Sequence, residues 1–160
     1  MIAILDYGSG NLRSAERAFQ IAAEKVVVTQ DPKVCRDARA LVVPGVGAFA
    51  ACMDQLLNVG GAEIIAERVA ASRPIFGICV GMQIFFDSSS EKIQKTGLGI
   101  LSGNISEITA PILPHMGWNT VSPAQDSKLF SGVENESFYF VHSYAAKDPV
   151  NGAANTISNY

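Results

Sequence analysis

Arg73-Pro74-Ile75-Phe76-Gly77-Ile78-Cys79-Val80-Gly81-Met82-Gln83 is the stretch on which the reading of this chain turns. Ile75 to Ile78 is an apolar run bounded upstream by Arg73-Pro74, as in a strand buried on both faces. Helix-compatible residues follow from Val80 to Phe86, with Met82, Phe85 and Phe86 available to pack inward. Cys79 therefore falls on a strand-to-helix turn. A nucleophile on such a turn is exposed at the carboxyl end of a sheet, and Gly77 and Gly81 remove the side chains that would crowd it. A helix beginning at Val80 also points free N–H groups at the sulfur, which favours thiolate over thiol. The competing reading is a buried, inert core thiol, the common state of an unpaired cysteine in an apolar strand. The turn and its glycines count against it.

Upstream of this stretch, short apolar strands alternate with helices. Met1 to Leu5 reads as a buried strand and Asp6-Tyr7-Gly8-Ser9-Gly10-Asn11 as the turn after it. Leu12, Ala15, Phe19 and Ala22 then recur at helical spacing, with Arg13, Glu16, Arg17 and Gln20 on the other face. Val26 to Thr29 is a second strand by its β-branched content, and Asp31-Pro32 places an N-cap and an N1 proline at the start of a short helix through Ala38. Leu41-Val42-Val43 is the third strand. The alternation predicts an α/β fold, an open and mainly parallel sheet with helices on both faces. Ligands of such sheets bind beyond the carboxyl ends of the strands.

Strand three ends in Pro44-Gly45-Val46-Gly47-Ala48, at the same edge as Cys79. Three readings of this loop stand. Its backbone N–H groups can approach a substrate closely and hold the negative oxygen of a tetrahedral intermediate. Gly45, Gly47 and Ala50 also satisfy the relaxed G-x-G-x-x-A dinucleotide pattern, although Glu67, the acid about twenty residues on, lies in a helical stretch. The third is a plain turn. At the first turn the dinucleotide fingerprint fails outright, because its third glycine would fall on Arg13.

Residues 48 to 71 read as helical with a break at Gly60-Gly61, buried through Leu56, Ile64, Ile65 and Val69. Ser88-Ser89-Ser90-Glu91-Lys92 reads as a polar, mobile loop. Beyond it Asn104 to Ile108, Trp118 to Val121 and Ser137 to Tyr144 alternate like strands, expected to join one side of the parallel sheet, some of them antiparallel.

At 160 residues, 48% apolar and 17% charged, the chain is sized for one globular domain. A net charge of −3 without a basic run argues against nucleic acid or an anionic membrane as partner. The N-terminus lacks a targeting pattern, since Asp6 interrupts the only apolar run there, and no apolar stretch approaches a membrane span. Cys35, Cys52 and Cys79 are odd in number, at spacings that fit neither a disulfide framework nor a zinc site. A cytoplasmic, reduced protein without a bound metal is the expectation.

Five segments in order carry a family resemblance: Asp6 to Asn11, Pro44-Gly45-Val46-Gly47, Gly77 to Gln83, Pro114-His115-Met116-Gly117-Trp118-Asn119, and Tyr139-Phe140-Val141-His142-Ser143-Tyr144. Together they resemble the glutaminase subunits of imidazole glycerol phosphate synthases, class I (triad) glutamine amidotransferases of histidine biosynthesis with a flavodoxin-like sheet. The resemblance runs from Met1 to Tyr160. It implies that Cys79 attacks the side-chain amide of glutamine, that ammonia leaves, and that a glutamyl thioester is hydrolysed to glutamate, with no cofactor. It further implies oxyanion donors at Val80 and in Gly45, Val46 and Gly47, and a glutamine seat at Gln83, His142 and Ser143. The partner it implies is a (β/α)8-barrel cyclase subunit that receives the ammonia and yields imidazole glycerol phosphate and an aminoimidazole carboxamide ribotide. Asn11, His115, Met116 and Trp118 match family positions near that partner.

The family completes its triad with a histidine and a glutamate in a downstream His-Pro-Glu stretch. Residues 1 to 160 hold no such motif, and their two histidines, His115 and His142, belong to other segments. The expectation is therefore a single amidotransferase domain lacking its C-terminal portion. Three functions follow: a glutaminase subunit seen incompletely, a docking module that binds the synthase without hydrolysing glutamine, and a nucleotide-binding oxidoreductase built on Gly45 to Ala50.

Overall fold

The computed structural model describes residues 1–23, 25–125 and 127–160. Its first half is β1 (Ile2–Leu5), α1 (Leu12–Ala22), β2 (Val26–Thr29), α2 (Pro32–Asp37), β3 (Ala40–Gly45), α3 (Phe49–Asn58), α4 (Gly61–Ala70) and β4 (Ile75–Cys79). The four strands make one parallel sheet in the order β2-β1-β3-β4.

Strand periodicity sorts the core into two layers. Ala3, Leu5, Leu41 and Val43 face α2, α3 and α4, burying Cys35, Phe49, Cys52, Leu56, Ile64 and Ile65. Ile2, Ile4 and Val42 face the other way, against Leu12, Ala15 and Phe19 of α1. Local chemistry sets the helix starts. Asn11 accepts from the Ser14 N–H at 3.2 Å, and Asp31 accepts from Lys33 and Val34 at 2.8 and 3.2 Å with Pro32 behind it.

Arg68 is fully buried on α4 with no carboxylate partner among the described residues, and burial pushes its pKa down. Its guanidinium donates to the carbonyls of Cys35, Arg36 and Ala38 at 2.9 to 3.0 Å and to Pro74 at 2.8 Å. These include carbonyls at the end of α2, which the helix itself leaves unpaired. Arg68→Lys keeps the charge but presents fewer donors to four fixed acceptors, so the chain is expected to lose about 1–2 kcal/mol of stability. A urea midpoint unchanged from the parent would contradict this role.

The second half departs from the expected layout. The helix after Cys79, expected to reach Phe86, is a single turn, α5 (Val80–Gln83), followed by β5 (Phe86–Ser89). Ile84, Phe85 and Phe86 are buried, and an apolar run of that length fits helix or strand equally well. Pairing decides: β5 lies between β6 (Lys95–Thr96) and β7 (Leu101–Glu107), parallel to β7 and antiparallel to β6. Ser88 and Ser89, expected in a mobile loop, are strand residues, and Glu91 accepts the Phe49 N–H at the start of α3 at 2.8 Å.

The later strands also form their own sheets instead of extending the first. β7 carries β10 (Tyr144–Ala146) on its other side, and β8 (His115–Thr120) pairs with β9 (Ser137–His142), antiparallel, as a two-stranded sheet with His115 opposite His142. Among the described residues, no helix is long and apolar enough to cross a membrane.

Candidate active site

Cys79 closes β4 with φ 55° and ψ −120°. A side chain seldom tolerates that backbone, so the turn is strained at the residue that carries the thiol. The glycines around it are needed for room. A Cβ on Gly77 would lie 2.5 Å from the Met82 Cα, and one on Gly81 would enter the Val43 carbonyl oxygen and sit 2.8 Å from the Pro44 carbonyl carbon. A Cβ on Gly45 would meet the Gly81 nitrogen and approach the Tyr7 hydroxyl to 2.9 Å. The ends of β3 and β4 and the start of α5 thus interlock through three glycines.

Cys79 is exposed, whereas Cys35 and Cys52 are buried. It opens on a cavity of about 750 Å³ that is also lined by Met82, Gln83, His115, His142 and Tyr144. The expectation of a thiolate favoured by a helix is corrected. Although the residue reaches the surface, burial of its sulfur pushes the pKa up, outweighing the hydrogen bond from the Val80 N–H that pulls it down, and Cys52 adds to the rise. A one-turn helix has too little dipole to reverse that balance. Because the thiolate is the reactive form, alkylation of Cys79 by iodoacetamide is expected to keep accelerating above the pH at which an ordinary thiol levels off. A rate already level at pH 8 would contradict a raised pKa.

The Val80 N–H hydrogen-bonds to the Cys79 sulfur. The loop of Gly45, Val46 and Gly47 does not line the cavity. The Val46 N–H donates to Ser9 Oγ at 3.1 Å, and the Val46 carbonyl accepts from the same hydroxyl at 3.1 Å and from the Cys52 thiol at 3.3 Å. Tyr7 donates to the Pro44 carbonyl at 2.5 Å, and burial raises its pKa far above the phenol range. Ser9, Tyr7 and Cys52 were not singled out from sequence. The available signal was a hydroxyl between two turn glycines, Gly8 and Gly10, at the same sheet edge.

Gln83 is buried, and its Nε2 donates to the Tyr144 carbonyl at 3.0 Å, tying α5 to β10. His142 reaches the same carbonyl through Nδ1 at 3.1 Å. Ser143 does not line the cavity; its carbonyl accepts from the Ile108 N–H at 2.9 Å. His115 is also corrected. Alternation along β8 turns His115 inward, 4% exposed, and turns Met116 and Trp118 outward, 58% and 73% exposed, so His115 cannot share a surface with them. Cross-strand from these two, Val141 and Tyr139 are exposed as well. Asn11 is exposed at the turn after β1, where it caps α1. Among the described residues, no group of three or more His, Cys, Asp or Glu side chains stands together as a metal site.

The family described as glutamine amidotransferase class I matches residues 3–159. The chain belongs to that family. This amidotransferase is 53% identical over 148 residues to the imidazole glycerol phosphate synthase subunit HisH of Corynebacterium glutamicum, covering 91% of the chain and 70% of the relative. It is 55% identical over 148 residues to that of Corynebacterium diphtheriae, with the same coverage, and 54% identical to that of Mycobacterium tuberculosis, with 91% and 72% covered. A crystal structure of a glutamine amidotransferase superposes with a TM-score of 0.70 at 16% identity, covering 92% of this chain and 74% of that one, and so shares the fold. The family is one of enzymes, and the resemblance read from the five segments holds at the level of this subunit.

Proposed function

We propose that the chain is the glutaminase subunit of an imidazole glycerol phosphate synthase, with residues 1–160 forming one amidotransferase domain. The observation that carries the reading is Cys79 held at positive φ at the mouth of a cavity. Its thiolate attacks the side-chain carbonyl carbon of glutamine, the C–N bond breaks as the proton given up by the thiol is returned to the leaving nitrogen so that ammonia departs, and water then cleaves the glutamyl thioester to glutamate and the free thiol. The Val80 N–H is the oxyanion donor this geometry supports best, while the Val46 N–H is engaged by Ser9. Gln83 and His142, both hydrogen-bonded to the Tyr144 carbonyl, form the wall against which glutamine rests.

The ammonia passes to a (β/α)8-barrel cyclase partner. Met116 and Trp118 support that docking, because they stand on an exposed apolar face of the β8–β9 ribbon; Asn11, exposed at the turn after β1, is assigned to the interface by the family resemblance alone. The test is glutamate release from glutamine by the chain mixed with the cyclase subunit, against each alone. Stimulated release supports the reading, and no release from the mixture sinks it. One observation favours a second reading, docking without hydrolysis. Within residues 1–160, His115 and His142 are committed to hydrogen bonds with each other and with other groups, so neither is free to serve Cys79 as base.

A further inference from the structure

Part of the wall of the Cys79 cavity is built on a hydrogen-bond chain whose proton positions are forced. The Tyr144 carbonyl can only accept, so His142 Nδ1, 3.1 Å away, carries the proton. A neutral imidazole has one N–H, so His142 Nε2 accepts, and its donor is His115 Nδ1 at 3.0 Å. His115 Nε2 is then a bare acceptor, facing Asn119 Nδ2 at 3.3 Å. The Asn119 amide cannot be turned over, because its Nδ2 donates to the Asn159 carbonyl at 2.7 Å and its Oδ1 accepts from the Thr120 N–H at 2.9 Å. Each step leaves one arrangement for the next.

The chain ends at the nucleophile's own helix, since the Tyr144 carbonyl also accepts from Gln83 Nε2 at 3.0 Å and Gln83 lies four residues after Cys79. His115 is held flat between Phe140 and Tyr160, with ring centroids 4.6 and 3.9 Å away. Burial first and His142 second push its pKa down, which disfavours the charged ring. We propose that Asn119 and His115 are positioning residues that hold His142 in its Nδ1–H tautomer, and through it the Tyr144 carbonyl and Gln83 on the glutamine side of the Cys79 cavity. Their role in glutamine binding rests on the glutaminase reading above, whereas the tautomers do not.

Long-range 1H–15N spectra of the chain at pH 8 read both rings directly, and with two histidines the assignment is simple. The expected result is Nδ1–H on both. In Asn119→Asp the carboxylate can only accept from His115 Nε2, so that nitrogen gains a proton and its resonance moves into the N–H range. In the Cys79→Ser background, which leaves glutamine intact, Asn119→Asp is expected to weaken glutamine binding about tenfold, measured calorimetrically with and without the cyclase subunit. Nε2–H on His142 in the parent chain overturns the proposal, and that measurement does not depend on the variant folding. Unchanged glutamine affinity in a folded Asn119→Asp chain, with the tautomer shift present, overturns the positioning role. Glutamine that fails to bind the Cys79→Ser protein overturns the glutaminase reading alone, since the forced tautomers are still supported by the spectra.

Discussion

Cys79→Ala is expected to lower glutamine hydrolysis by the chain and its cyclase partner by about 10⁴-fold or more, the scale on which losing a covalent nucleophile acts. No second thiol can replace it. Cys35 and Cys52 are buried, and the Cys52 sulfur is bonded to Ser9 and to the Val46 carbonyl. Alanine at 79 inherits the same φ of 55°, so the fold and its strain are both retained. Cys79→Gly removes the strain as well as the thiol, and is expected to be about 1 kcal/mol more stable than Cys79→Ala. Residual hydrolysis within tenfold of the parent would show that the nucleophile lies elsewhere. Equal stability of the two variants would show that the turn is not strained.

Gly81→Ala is expected to cost about 4 kcal/mol or more, enough to leave much of the population unfolded, because the new methyl group meets backbone and not a flexible side chain. Its Cβ would enter the Val43 carbonyl oxygen and press on the carbonyl carbons of Val43 and Pro44, each 2.8 Å away. Val43 and Pro44 belong to β3, which is paired with β1 on one side and β4 on the other, so neither can withdraw without breaking a ladder. Gly47 is the control. Its φ is 91°, but nothing lies within 4 Å of its Cβ position, so Gly47→Ala carries backbone strain alone, about 1–2 kcal/mol. Denaturant unfolding of both variants separates the two causes. A Gly81→Ala chain as stable as Gly47→Ala would refute the interlock of β3 with α5.

Most of the first half was legible because each local signal agreed with its neighbours. Asn11 and Asp31 cap the helices they precede, the apolar spacing of Leu12, Ala15 and Phe19 matches the face of α1 against the sheet, and the break at Gly60-Gly61 separates α3 from α4. Agreement failed where one apolar run served two structures. Ile84 to Phe86 continues a helix by spacing, yet β7 supplies a ladder for Phe86 to Ser89, and pairing with a strand some fifteen residues downstream is invisible in a local window. The same limit applies at His115. Its place in a motif shared with Trp118 pointed to one surface, while a strand period of two sends them to opposite faces.

By itself the sequence determined the parallel sheet, the position of the turn at Cys79 and the family, because these rest on spacing, glycine placement and motifs within short reach of one another. Only the tertiary structure decided which groups the turn would face. The raised pKa of Cys79 comes from burial of its sulfur, the cavity it opens on is lined by β8, β9 and β10, Val46 is turned toward a serine 37 residues earlier, and the His115–His142 pair exists because β8 and β9 pair in one register. Desolvation and hydrogen-bond direction depend on distance in space, and distance along the chain does not specify them.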